Sequence, residues 1–198
     1  MTDSPADPQT QVVNSESVPP ALPPRTHLAP NFRALFLEHG SYVASSLRRL
    51  GVRENDVEDV THDVFLAVYR HLDDYDPQRP IKPWLFGFAA KIALGHRRRK
   101  SYTHEVIAAD IEAVDPAPAA DEEVAKSQSR SLVLAALRAV AEERRPVFVM
   151  HDIDAISMPD ITTALRIPLN TGYSRLRLAR AEFAAAVQRL RVRSGPHA

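Results

Sequence analysis

Cysteine is absent from the 198 residues, which excludes disulfides and thiolate zinc sites and accords with a reducing cytoplasm. Glycine is scarce, at six residues, and none forms a Gly-rich phosphate cradle or a nucleophile elbow. No apolar run approaches the ~20 residues that a membrane-spanning helix needs, because charge interrupts each one. The first residues have neither a basic start nor an apolar core, so no secretory leader is expected there. An excess of either charge sign is also missing, since 25 Lys and Arg balance 25 Asp and Glu. That balance argues against nucleic acid as a partner only where the charges are evenly mixed, and here they are segregated.

What is present divides the chain. Residues 1–30 are rich in Pro, Ser and Ala and show no helical period, which predicts a disordered extension. Asn31 then suits a helix N-cap, and Phe32, Leu35, Phe36, His39, Val43, Leu47 and Leu50 recur at three- and four-residue steps, up to Gly51. A second helix is predicted from about Asn55, with an acidic first turn and Val57, Val60, Val64, Val68 and Leu72 on one stripe. Residues 73–80, with two prolines, predict a loop. Pro83 suits a first helical position for a third helix ending in His96-Arg97-Arg98-Arg99-Lys100. Periodicity favours Trp84 and Phe88 as its core members over Phe86.

Five acids and no Lys or Arg lie between Glu105 and Glu123, interrupted by Pro116 and Pro118. This reads as an acidic linker, set at 103–130. A second helical block is predicted from Ser131, with no alternating strand pattern anywhere. The fold class is therefore all-α: two small helical domains, 31–102 and 131–193, joined by the acidic linker.

The most informative stretch is 157–193. Ser157 followed by Asp160 forms a capping box, opening a short helix that buries Ile161 and Leu165. A tight connection through Pro168 leads to a longer helix carrying seven arginines against one acid from Arg166 to Arg193, a net of +6. A short helix, a tight turn and a longer basic helix make a helix-turn-helix, whose second member fits the major groove. The plainer reading of the charge, a solvated terminal face, leaves the capped turn unexplained. The Arg97-Arg98-Arg99 cluster has two readings, cations completing a helix C-terminus or phosphate contacts beside aromatic rings that stack on unpaired bases. The eight histidines include no pair at helical ligand spacing with a third ligand nearby, so no metal or other cofactor is expected. His151-Asp152 and Asp154 read as a solvated face, not as acid-base groups.

Four motifs in order carry a family resemblance. DVEDVTHDVFL at 56–66 resembles the polymerase-binding helix of region two in extracytoplasmic-function sigma factors. PWLFGFA at 83–89, through Arg98-Arg99, resembles the following segment, which in that family melts and reads the minus-ten promoter element. LRAVAEERRPVF at 137–148 and LNTGYSRLRLAR at 169–180 resemble region four, the minus-thirty-five reader. The match covers about 31–100 and 131–191. Lys91 and Gly95 stand where the family usually has Asn and Asp. Gly172 stands where it has a small branched residue, at roughly 1 kcal/mol of helix propensity; closer packing, or closer approach to DNA, would explain it.

The resemblance implies a non-catalytic, cytoplasmic initiation factor whose partners are core RNA polymerase, promoter DNA and an anti-sigma factor, without membrane insertion. It assigns Asp59, His62, Asp63 and Leu66 to polymerase. Tyr75, Lys82, Lys91, Arg97, Arg98 and Arg99 fall to the minus-ten strand. Asn170, Thr171, Tyr173, Ser174, Arg175 and Arg177 fall to the minus-thirty-five groove. The alternative is a stand-alone helix-turn-helix regulator, which has no need of the 56–72 helix and the aromatic, basic helix after it.

Overall fold

A computed structural model describes residues 31–104 and 121–194. The predicted N-terminal extension and the 105–120 part of the predicted linker lie outside these residues. Among the described residues all regular structure is helical.

Helix α1 (Phe32–Arg49) begins where the Asn31 side chain accepts the Arg33 N–H at 3.0 Å. It closes before Gly51, whose φ of 90° turns the chain back into α2 (Glu54–Arg70). These two helices bury the predicted stripes against each other, Leu35, Val43 and Leu47 from α1 with Val57, Val60, Val64 and Val68 from α2. Phe65 is also buried, contributing on the order of 2 kcal/mol by its removal from water. A single 3-10 turn, Leu72–Asp74, and a short loop lead to α3 (Ile81–His104). Helix α3 starts two residues before Pro83, which sits inside its first turn, where a missing N–H costs nothing.

The expectation for the α3 aromatics is corrected. Leu85 and Phe86 are fully buried, whereas Trp84 and Phe88 are half-buried. Helix α3 is covered by α1 and α2 on one side and by a later helix on another, so its buried arc is wider than one amphipathic stripe.

Helix α4 (Asp121–Arg138) starts ten residues before the Ser131 expected. Residues 121–130 contain neither Pro nor Gly, so helix propagates back through what composition assigned to the linker. A short α5 (Arg145–Phe148) continues as a π-helical turn, Val149–Ile153. Helix α6 (Met158–Leu165) follows the predicted capping box, in which Ser157 Oγ accepts the Asp160 N–H and donates to the Asp160 carboxylate at 2.6 Å. Arg166, at φ 53°, makes the turn into α7 (Leu169–Ser194).

Gly172 lies on the buried side of α7. A Cβ there would come within 2.7 Å of both Met158 Sδ and Thr162 Cγ2. The departure from the family pattern thus serves packing of α6 on α7. The two helical halves also meet: α3 packs on α6, α1 meets α4, and the buried apolar cluster runs through both.

Candidate functional site

On α2, Asp59, His62, Asp63 and Leu66 follow the spacing i, i+3, i+4, i+7, which places them on one helix face. All four are exposed, Leu66 at 43%. Beside them, α1 exposes Phe36 and Leu37, with Phe36 edge-on to Phe65 at 4.8 Å between ring centroids. None of Asp59, His62 and Asp63 forms an ion pair among the described residues. The face therefore combines acids with large apolar side chains, a mixture suited to a basic and apolar protein partner.

The predicted minus-ten residues do not form one surface. Tyr75, Lys91 and Arg97 line a cavity of about 880 Å³ together with Trp84. The Tyr75 hydroxyl donates to the Arg79 carbonyl at 2.6 Å, and its ring lies 5.0 Å from that of Trp84. Burial raises the Tyr75 pKa, with the Asp76 charge adding to it. Trp84 in turn meets Phe88 edge-on at 5.0 Å. Lys82 lies apart, with its ammonium 5.5 Å from the centre of the Tyr42 ring. Arg98 and Arg99 are exposed and do not line the cavity. Arg97 is engaged already: its guanidinium reaches Glu142 at 2.9 Å and donates to the Leu50 carbonyl at 3.3 Å.

The predicted minus-thirty-five residues separate into two groups on α7. Asn170, Tyr173, Ser174 and Arg177 share one exposed stripe, with Tyr173 at 54% exposure. Thr171 and Arg175 are half-buried on another side, and Arg175 lines the same cavity as Lys91 and Arg97. The opposite side, with Leu176, Ala179 and Ala186, is core. Further along, Arg180 is held by Asp152 at 2.7 and 2.8 Å, which lowers the Asp152 pKa mainly through that hydrogen bond. Glu182 pairs with Arg144 and accepts the Ala141 N–H, fixing α7 to the start of α5. The outer stripe is an exposed row of polar side chains ending in the cation Arg177 at the start of a helix, with the Ser174 hydroxyl donating to the Thr171 carbonyl at 3.0 Å, a row that suits groove reading.

Sequence reasoning missed Tyr42, Arg49 and Arg145, which join the halves, and its reading of Asp154 as part of a solvated face is corrected, since that side chain is only 9% exposed. Asp154 accepts from the Tyr42 hydroxyl at 3.0 Å and from Arg49 at 2.7 Å. Arg145, 2% exposed, donates to the carbonyls of Leu50, Arg138 and Val140. Burial lowers its pKa to about 10, with the Arg97 charge adding to the effect, and the group stays cationic at neutral pH. An arginine pair, Arg144-Arg145, heading the apolar run Val147 to Met150 was the available signal. Among the described residues no cluster of His, Asp and Glu could hold a metal ion. No helix among them is long and apolar enough to cross a membrane.

Residues 35–103 match the family Sigma-70 region 2. The chain is 28% identical over 161 residues to the RNA polymerase sigma factor NccH of Alcaligenes xylosoxydans xylosoxydans, covering 79% of this chain and 87% of that protein. It is 29% identical over 161 residues to the ECF RNA polymerase sigma factor SigL of Mycobacterium tuberculosis, covering 81% and 90%. Among solved structures it resembles CnrH in complex with the cytosolic domain of CnrY, at 27% identity and a TM-score of 0.57, covering 79% and 87%. The fold also matches the sigma factor RpoE of Bartonella quintana in complex with the anti-sigma factor NepR, with a TM-score of 0.60 at 16% identity, covering 79% and 96%.

Proposed function

We propose that the chain is a sigma-70 factor of the extracytoplasmic-function group, and that its surfaces divide the work of promoter-specific transcription initiation. It binds core RNA polymerase through the acidic and apolar face of α2: Asp59, His62, Asp63 and Leu66. The cavity with Tyr75, Trp84, Lys91 and Arg97 takes the opened minus-ten strand, rings stacking on bases and cations meeting phosphates. Arg98 and Arg99 add phosphate contacts at the end of α3. The stripe Asn170, Tyr173, Ser174 and Arg177 reads the minus-thirty-five major groove, with Thr171 and Arg175 beside it. The chain acts in the cytoplasm, where polymerase is, and carries out no reaction of its own. An anti-sigma factor is a further partner, since two similar solved structures are of sigma factors held by other proteins.

The observation that carries the reading is the order of parts. A region-two match at 35–103 precedes a helix-turn-helix whose second helix exposes a polar, cationic stripe. A stand-alone regulator would need only the second of these. The test is a promoter footprint with and without core polymerase. Sequence-specific protection that appears only with polymerase supports the assignment; tight protection by the free protein, unchanged by polymerase, selects the stand-alone regulator. Asp59→Arg combined with His62→Glu separates the surfaces further. Polymerase affinity should fall at least tenfold with helical content unchanged, because exposed charge reversals disturb an interface far more than a fold.

A further inference from the structure

We propose that Arg180 is a phosphate clamp at the rim of the reading helix and that Asp152 is its positioning residue, so that a carboxylate on the DNA side of the chain strengthens DNA binding. Arg180 follows Tyr173 by seven residues and Arg177 by three, and all three are exposed, so it carries the outer stripe of α7 one turn further. Asn170 stands at the start of that helix, and the rise per residue puts Arg180 about 15 Å beyond it. In a helix-turn-helix the first residues of the second helix meet base edges, in a groove about 8.5 Å deep. A side chain so much further along stands where the helix leaves the groove, at the level of the phosphates.

The guanidinium is held in one orientation. Arg180 Nε donates to Asp152 Oδ2 at 2.8 Å, and Nη2 donates to Oδ1 at 2.7 Å. This side-on pairing takes one edge of a planar group that has two. The second edge, Nη1 with the outer hydrogen of Nη2, faces away from the carboxylate and matches two phosphate oxygens. Among the described residues Nη1 has no hydrogen-bond partner, and the side chain is 53% exposed. Asp152 is itself fixed, because His151 Nδ1 lies 2.7 Å from Oδ1. A carboxylate only accepts, so that ring nitrogen carries the proton. The π-helical turn that bears both residues is anchored by Val149 and Met150 in the core. The hydrogen bond from Arg180 lowers the Asp152 pKa, and the carboxylate is ionised at neutral pH.

The pair is not needed to hold α7 in place. Leu176, Ala179 and Ala186 already fix that helix in the core, and Glu182 ties it to Arg144. An exposed ion pair contributes little to stability. What it supplies is orientation: Arg177 must be ordered when it meets a phosphate, whereas Arg180 has been ordered by folding. Two effects of Asp152 on DNA therefore oppose each other, its own charge, which repels phosphate, and the alignment of Arg180, which attracts it. The proposal is that alignment wins. It rests on the reading of α7 as a groove-reading helix; the pairing itself does not.

The test uses the full chain and a duplex of about 30 base pairs of arbitrary sequence, since phosphate contacts form at any sequence. Arg180→Ala should weaken binding about tenfold, the worth of one charge-assisted contact. It should also lower the slope of log affinity against log salt by about 0.9. Arg180→Lys keeps the charge and loses the fork, so the slope should stay while binding weakens roughly threefold. Asp152→Asn should weaken binding roughly threefold, although it removes a negative charge beside DNA. In the Arg180→Ala background the same change should no longer weaken binding, because Asp152 acts through Arg180. Equal or tighter binding by Asp152→Asn with Arg180 present would overturn the positioning role. An unchanged salt slope in Arg180→Ala, with helicity intact, would overturn the clamp. If Arg180→Ala fails to fold, Arg180→Lys and Asp152→Asn decide the question, and parental affinity in both overturns the proposal. A slope lowered by Arg177→Ala but not by Arg180→Ala would overturn the clamp and leave the functional reading standing. A parent chain that binds no duplex would overturn the reading of α7, and the clamp with it.

Discussion

In the first half, Arg97 near the end of α3 turns toward the neighbouring half and finds Glu142 there, while the exposed face of α2 shows acids and apolar side chains. In the second half, Arg145 is buried on carbonyls, yet α7 leaves Arg177, Arg189, Arg191 and Arg193 exposed, with no ion pair among the described residues. The halves thus present opposite faces within a chain of zero net charge. The lesson is that a cation's role is set by what surrounds it. An arginine whose terminal nitrogens meet backbone carbonyls is a structural strut, whereas one on an open helix face is available to phosphate.

The sharpest way to break this distinction is to remove one arginine of each kind. Arg145→Ala should cost about 3 kcal/mol in chemical denaturation, since three carbonyls lose a donor and a large side chain leaves a void. Arg145→Met should cost less, as it fills the space and buries no charge. Arg177→Ala should change stability by less than about 0.5 kcal/mol. Equal losses at both positions would erase the distinction.

A second test concerns the joint beneath the reading stripe. Gly172→Ala improves helix propensity by about 1 kcal/mol, yet it should destabilise the protein by roughly 1–2 kcal/mol net, because Met158 and the stiff Thr162 must give way. A higher melting temperature would mean that α6 and α7 accommodate a methyl group. At the level of binding, Arg177→Ala should lower the slope of log affinity against log salt by about 0.9 for duplex DNA. Arg97→Ala should leave the slope of the free protein unchanged, since that cation is engaged with Glu142. The smallest effect is expected at Ala155, which holds φ at 54°. A left-handed conformation costs a non-glycine residue about 1–2 kcal/mol, and glycine returns part of the gain as chain entropy. Ala155→Gly should stabilise by about 0.5 kcal/mol, read as a rise in melting temperature.

Local features were the most legible in the sequence. The Asn31 cap, the α2 stripe and the Ser157 capping box are each written within a few residues, and each forms as expected. The start of α4 was obscured because acids and a distant proline suggested linker where the intervening residues favour helix. Trp84 and Phe88 were assigned to the core because a stripe argument assumes one covered face, and α3 has more than one. Among the candidate site residues, the spacing that unites Asn170, Tyr173, Ser174 and Arg177 was available in the sequence. So was the separation of Lys82 from Lys91, which lie nine positions apart on opposite faces of α3; that Lys91 and Arg97 line one cavity was not, for the second half supplies part of its lining. Tyr42 and Asp154 are 112 positions apart, and no periodicity links them.

Arg145 carries one more implication, for how the chain tolerates change. Its acceptors on Leu50, Arg138 and Val140 are all main-chain oxygens. Every residue has such an oxygen, so side-chain replacement at those three positions leaves the acceptors in place. The hold between the halves at this point is inherited through a single codon. Relatives that keep the arginine can drift at its partners, and comparison of paired substitutions across them would leave this contact unseen.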